Sequence, residues 1–230
     1  MESTLAVTPI AFIHTDFPTK FGVPRQSGVV DALEAEIVFL PAFRQAEAFR
    51  GLEGFSHLWL IWGFSAAVRE GWSATVRPPR LGGNVHMGVF ATRSPYRPNP
   101  LGLSSVRLLG VERDPDRGVT LRVAGADLMD GTPIYDVKPY VAYTDSHPEA
   151  SGGFVDAHPM AALEVDFPPN LLETIPENKR AALLGVLQND PRPRYQSDPE
   201  RVYGFFFSEY EIKFQVKGTR LRVCRADKVR

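Results

Sequence analysis

Five arginines, Arg77, Arg80, Arg93, Arg97 and Arg107, and one histidine, His86, fall in the forty-one residues from Gly71 to Val111, which hold no Asp or Glu. The whole chain is nearly balanced, at a net charge of -1, so this exclusion of acid is local. Four of the arginines sit in stretches dense in proline, glycine and small polar residues: Arg77-Pro78-Pro79-Arg80-Leu81-Gly82-Gly83-Asn84 and Ala91-Thr92-Arg93-Ser94-Pro95-Tyr96-Arg97-Pro98-Asn99-Pro100. A guanidinium presents a planar fork of donors that matches phosphate or carboxylate and stacks on flat rings. The pattern points to recognition of an anionic partner. A solvated proline-rich loop with incidental arginines is the competing reading.

Other polar groups are held by the same stiff chemistry. Phe21-Gly22-Val23-Pro24-Arg25-Gln26-Ser27-Gly28 sets a guanidinium and an amide on a proline-fixed turn. Asn99 lies between two prolines, which restrict its backbone and aim its amide. Asp130-Gly131-Thr132-Pro133 leads into Tyr135, Asp136, Lys138 and Tyr140, a run that plain strand alternation also explains. His57, beside Trp59 and Trp62, reads first as a structural histidine. Common sites can be excluded. No Gly-x-Gly-x-x-Gly or Gly-Lys-Ser/Thr loop is present, no Gly-x-Ser-x-Gly elbow, and the five histidines and single cysteine lack metal-ligand spacing. A metal is not expected.

These residues need elements to position them. At 230 residues, 43% hydrophobic and 23% charged, the chain suits one large globular domain or one with an appendage. Period-2 alternation predicts strands at Leu5–Ile13, Ala35–Leu40, Leu58–Phe64, His86–Ala91, Leu103–Glu112, Val119–Ala124 and Ile134–Tyr140. Seven short strands with few helices suggest a closed or nearly closed sheet, since closure removes exposed edges. A short helix fits Gln45–Gly51. The window from Pro139 to Asn178 has no Lys or Arg. A helix is predicted over Glu177–Gln188, then a basic loop, Asp190-Pro191-Arg192-Pro193-Arg194-Tyr195, and strands at Tyr203–Phe207, Tyr210–Val216 and Arg220–Ala226. The boundary is expected near residues 165–176, giving units 1–168 and 169–230. Cys224 reads as a small packed hydrophobe. A pI near 6.5 confines any nucleic-acid contact to a local patch. The longest apolar run is too short to span a bilayer and no export signal is seen, so a cytoplasmic protein is expected.

Several long motifs together resemble one family. Val23-Pro24-Arg25-Gln26, Arg50-Gly51-Leu52-Glu53-Gly54-Phe55-Ser56-His57-Leu58-Trp59, Thr75 to Asn84, Gly88 to Gly102 and Asp130-Gly131-Thr132-Pro133 are similar to TrmO, the YaeB/TsaA-type family of tRNA methyltransferases. Asp190 to Tyr195 resembles its C-terminal segment. The likeness covers nearly the whole chain in order. It implies a mainly β fold, a single-sheeted β-barrel binding S-adenosylmethionine with a small α+β C-terminal domain, and a homodimer. The implied reaction methylates N6 of N6-threonylcarbamoyladenosine at position 37, beside the anticodon of a threonine tRNA.

The resemblance also implies residues. Donor-binding positions fall on Pro24, Arg25, Gln26, Ser65, Ala66, Arg93, Leu103, Asp130, Gly131, Thr132 and Pro133. Ser65-Ala66 departs from a His-Gln pair in relatives. Arg25 and Arg93 suit the donor's carboxylate; Gln26 and Asp130 suit its ribose or base. Asp136 is the candidate proton acceptor, with Tyr140 and Asn99 as positioning groups. Arg77, Arg80, Tyr96, Arg97, Lys138, Arg192, Arg194 and Tyr195 are candidates for tRNA, whose unpaired loop needs cations and stacking groups. The alternative is a non-catalytic barrel that binds tRNA or a small regulatory ligand.

Overall fold

The structure is a computed structural model and describes residues 5–65, 71–193 and 198–229. Its first elements in chain order are β1 (Ala11–His14), β2 (Glu34–Phe39), β3 (His57–Gly63), β4 (Thr75–Val76), β5 (Met87–Gly88), β6 (Leu101–Asp114), β7 (Gly118–Ala124) and β8 (Thr132–Pro139). Six of these close an antiparallel barrel in the order β1-β2-β7-β6-β3-β8. Alternation explains the closure. Ala11 and Ile13, Ile37 and Phe39, Leu58 and Leu60, Leu121 and Val123, and Ile134 point inward and are buried in one core. At Asp114 the chain turns tightly, because its carboxylate accepts from the backbone N–H groups of Asp116 and Arg117, both at 2.8 Å. Those bonds lower its pKa.

Three expectations change. Leu5–Ile13 begins as a strand only at Ala11. His86–Ala91 is not a barrel strand: Met87–Gly88 pairs with Thr75–Val76 in a two-stranded ribbon, and Val89–Ala91 is a 3-10 turn. Gly88 sits at that change of geometry, where alternation cannot continue. Gln45–Gly51 forms a 3-10 turn at Ala46–Phe49, too short for a helix.

After a short turn of helix, α1 (Ala142–Asp145), the chain builds β9 (Glu164–Asp166), α2 (Pro169–Leu172), α3 (Glu177–Gln188), β10 (Tyr203–Phe207), β11 (Tyr210–Lys217) and β12 (Arg220–Lys228). The sheet order is β10-β11-β12-β9, with β9 parallel to β12. Helix α3 begins after Pro176, which pre-sets the entry angle, and buries Ala182, Leu183, Val186 and Leu187. The register slips between Lys213 and Phe214, so Cys224 falls between the paired residues Val223 and Arg225. This bulge turns Cys224 out to solvent, contrary to the packed position expected of it.

The segment from Phe17 to Leu33 belongs to both halves. Phe17, Val30 and Leu33 are buried in the C-terminal core, with Phe17 edge-on to Phe207 at 5.7 Å between centroids. Asp16, only 8% exposed, holds Lys179 of α3 at 2.7 Å. On the other side Gly28 donates its N–H to the Gly125 carbonyl, at 2.8 Å, just beyond β7. Gly22 has φ +86, and a Cβ there would lie 2.3 Å from the Phe205 ring. Only glycine allows that close approach.

Candidate active site

A cavity of about 510 Å³ opens beside β3 and β6, within the range of roughly 300–1,000 Å³ usual for small-molecule sites. It gathers residues from distant segments. Lys20, Val23, Pro24, Arg25 and Gln26 come from the shared segment, Trp59, Trp62, Phe64 and Ser65 from β3 and its end, and Thr92, Arg93 and Arg97 from the proline loop. Leu101, Gly102 and Leu103 enter from β6, and Asp127, Leu128, Met129 and Thr132 from the turn before β8. Gly102 is required where it stands, because a Cβ would sit 2.2 Å from the Trp62 ring.

The polar groups are held firmly. Arg93 donates to Gln26 Oε1 across the cavity mouth. Arg97 donates to the carbonyls of Thr92, at 3.0 Å, and Ser94, at 3.4 Å. Thr132 donates to the Met129 carbonyl at 2.7 Å. A buried relay runs from Trp62 Nε1 to Ser104 Oγ, 3.0 Å, and from Ser104 Oγ to Asp127 Oδ1, 2.6 Å. Burial pushes the Asp127 carboxyl above the ordinary carboxylate range, while the Ser104 bond and Arg93 oppose that rise. Among the described residues the cavity thus joins four cationic side chains, one perturbed carboxylate and an aromatic wall.

Pro24, Arg25, Gln26, Ser65, Arg93, Leu103 and Thr132 of the expected donor site therefore line one cavity. Asp130, Gly131 and Pro133 do not. Asp130 instead locks the end of β1, accepting from the Thr15 N–H at 3.1 Å and pairing with His14 at 3.2 Å. Gly131 donates its N–H to the Ile13 carbonyl and Pro133 sits opposite Phe12 in the sheet. Ala66 lies outside the described residues. Asp136 is not brought to the cavity; it pairs with Lys138 at 2.8 Å on the solvent-facing side of β8. Tyr140 packs on Trp59, 5.5 Å between centroids, and Asn99 is exposed, its carbonyl accepting from Leu101.

The cations expected to meet tRNA are spread over neighbouring surfaces. Arg77 donates from Nε to His86 Nε2 at 3.0 Å. Arg80 reaches the Val155 and His158 carbonyls. Tyr96 is exposed beside Ser73, whose N–H bonds its carbonyl. Arg192 is matched to Asp190, and Arg194 and Tyr195 lie outside the described residues. Sequence pattern singles out neither Asp127 nor the stacked pair Trp72 and Phe90, 6.2 Å apart and 52% and 73% exposed. The signal for the pair was present as two aromatics within the acid-free window; Asp127 had none. Among the described residues no cluster of His, Cys, Asp or Glu could hold a metal ion, and no helix is long and apolar enough to cross a membrane.

Comparison with known proteins gives this geometry a lineage. Residues 12–146 match the tRNA-methyltransferase O N-terminal domain and residues 160–229 the TrmO C-terminal domain. A relative from Escherichia coli (strain K12), named tRNA (adenine(37)-N6)-methyltransferase, is 40% identical over 222 residues, 93% of this chain and 94% of its own length. A protein of Pyrococcus abyssi (strain GE5 / Orsay), named "Probable S-adenosyl-L-methionine-binding protein", is 38% identical over 64% of this chain and 74% of its own. The crystal structure of TrmO from Pseudomonas aeruginosa superposes with a TM-score of 0.78 at 32% identity, over 98% of this chain and 100% of that one. With both domains matched in order on a closed barrel, this chain belongs to the TrmO family.

Proposed function

We propose that this protein methylates N6 of adenine 37 in tRNA from S-adenosylmethionine, and that its substrate base is N6-threonylcarbamoyladenosine of a threonine tRNA. One observation carries the reading: in a TrmO-family chain, arginine, amide, hydroxyl and aromatic groups from separate segments converge on a single cavity of the right size. The two units, 1–168 and 169–230, divide the work between barrel and tRNA grip, a division supported by the two separate apolar cores. The same reading carries a homodimer and a cytoplasmic location, the first checked by molecular mass in solution.

The residues fit the donor. Arg25 and Arg93 suit its carboxylate, and Leu101, Leu103 and Trp62 offer its adenine an apolar slot. Bound there, S-adenosylmethionine would supply an electrophilic methyl group on a sulfonium. The protein's part is to hold the base in line with that methyl, exclude water and accept the N6 proton. Alignment of two reactants alone can supply roughly 7–11 kcal/mol. We assign the proton to Asp127 rather than Asp136, because among the described residues Asp127 is the one carboxylate lining the cavity and its pKa is raised toward the working range of a base. Trp72 and Phe90 offer a stacking platform for an unpaired anticodon-loop base.

Labelled S-adenosylmethionine incubated with purified protein and tRNA, bearing or lacking threonylcarbamoyladenosine, tests the proposal. Label should appear on the modified tRNA alone, and Arg93→Ala should weaken donor binding at least tenfold, about 1.4 kcal/mol. Binding of both ligands without transfer would leave a non-catalytic barrel.

A further inference from the structure

A second cavity, of about 360 Å³, lies between the barrel and the C-terminal core. Its walls come from the turn Lys20 to Gln26, from Pro79 and Arg80, from Met160, and from the end of α3 and the following Asn189 to Pro193. Lys20, Val23, Pro24, Arg25 and Gln26 line both cavities, so the two adjoin across one wall.

The charge of this second cavity depends on what its cations bind. Lys20, Arg25, Arg80 and Arg192 line it against one carboxylate, Asp190. Arg192 is neutralised: its Nε and Nη2 meet the two oxygens of Asp190 at 2.8 and 2.9 Å. Arg80 instead donates to the carbonyls of Val155, at 3.0 Å, and His158, at 3.2 Å. Arg25 donates to the carbonyls of Asp190, at 3.4 Å, and Arg192, at 3.0 Å. At Arg80 the carbonyl oxygens orient the guanidinium without cancelling its charge. Lys20 is exposed, its ammonium 5.7 Å from the Phe21 ring centroid. The result is a pre-aimed positive chamber next to the proposed site of methyl transfer.

We infer that this second cavity receives the carboxylate-bearing side chain of the substrate base while the reacting nitrogen faces the first cavity. The inference rests on the threonylcarbamoyladenosine reading above. In that base the carboxylate is only a few bonds from N6, so its receptor must adjoin the reacting centre, as this chamber does. Arg80 gives discrimination, because a guanidinium fork offers two donors to a carboxylate and finds only one oxygen on a carboxamide. A phosphate of the tRNA backbone offers the same cations the same chemistry, and the experiment separates the two.

Anticodon stem-loops carrying threonylcarbamoyladenosine, or the same base with its carboxylate converted to a neutral carboxamide, are titrated into the wild-type protein, Arg80→Gln and Lys20→Gln. Methyl transfer to each stem-loop is measured separately. The wild type should bind the acid about 10- to 100-fold more tightly than the carboxamide, the scale of a charge-assisted hydrogen bond. Each variant should shrink that ratio several-fold and leave carboxamide affinity unchanged. Equal wild-type affinity for the two stem-loops overturns the inference. So does a loss in the variants that falls alike on both, because those cations would then be holding backbone phosphate. Acid preference without methyl transfer keeps the chamber and removes the proposed activity; transfer without preference does the reverse. Lys20→Gln breaks no hydrogen bond to a carbonyl, so it carries the test if Arg80→Gln fails to fold.

Discussion

Asp127 shows how one side chain can serve reaction and burden stability together. Its folded-state pKa is raised by burial, so the folded protein holds this proton more tightly than the unfolded chain does. In acid the carboxyl is protonated in both states and no cost arises. As pH climbs from the ordinary carboxylate range through the raised pKa, the charged form must be kept in a poorly hydrated place, and stability falls. Asp127→Asn keeps an acceptor for Ser104 but carries no charge. It should melt at the same or higher temperature than wild type at neutral pH, with the difference vanishing in acid. Its kcat should drop by about 10²–10⁴ if it takes the N6 proton, whereas Asp136→Asn should change kcat little. Sequence could not single out Asp127, because it lies in Gly125-Ala126-Asp127-Leu128-Met129 without a turn signature and meets Ser104 only through the tertiary fold. Its neighbour Asp130, marked by Asp-Gly, is spent on anchoring β1.

At the level of elements, regular alternation was readable and its interruptions were not. β2 and β3 follow the inward-outward pattern, and α3 follows its apolar face. His86–Ala91 alternates as well as any of them, yet no barrel strand is left unpaired beside it, so it closes a ribbon instead. Cys224 escaped the reading for a related reason, since a bulge is set by pairing with another strand and leaves no local mark. The turn at Gly22 makes a quantitative case. Gly22→Ala meets both a left-handed backbone and the Phe205 ring, whereas Gly28→Ala, φ +74, meets only the backbone strain. Thermal denaturation should place Gly28→Ala about 1–2 kcal/mol below wild type. Gly22→Ala should fall further, by the cost of displacing a buried aromatic, on the order of another 1–3 kcal/mol.

For the molecule as a whole, a closed barrel with a C-terminal α+β unit was legible from strand spacing and family likeness, while the junction was not. The acid-free window from Gly71 to Val111 and the window from Pro139 to Asn178, which lacks Lys and Arg, carry no sequence signal of whether they meet. In the structure they touch: Arg80 of the first bonds Val155 and His158 of the second. That contact depends on which loops pack together, which composition does not encode.

The segment from Phe17 to Leu33, rooted in the C-terminal core and bonded to the barrel edge through Gly28 and Gly125, also makes the two chambers share a mechanical fate. Occupying either one stiffens the partition that forms part of the other, so the second guest arrives at a wall already set. Thermodynamic reciprocity then demands that S-adenosylhomocysteine tighten the stem-loop by the same factor as the stem-loop tightens S-adenosylhomocysteine, about 5- to 150-fold for couplings of ordinary size. Calorimetric titration in both orders measures that factor, and Asp16→Asn, which frees the partition from Lys179, should bring it toward one.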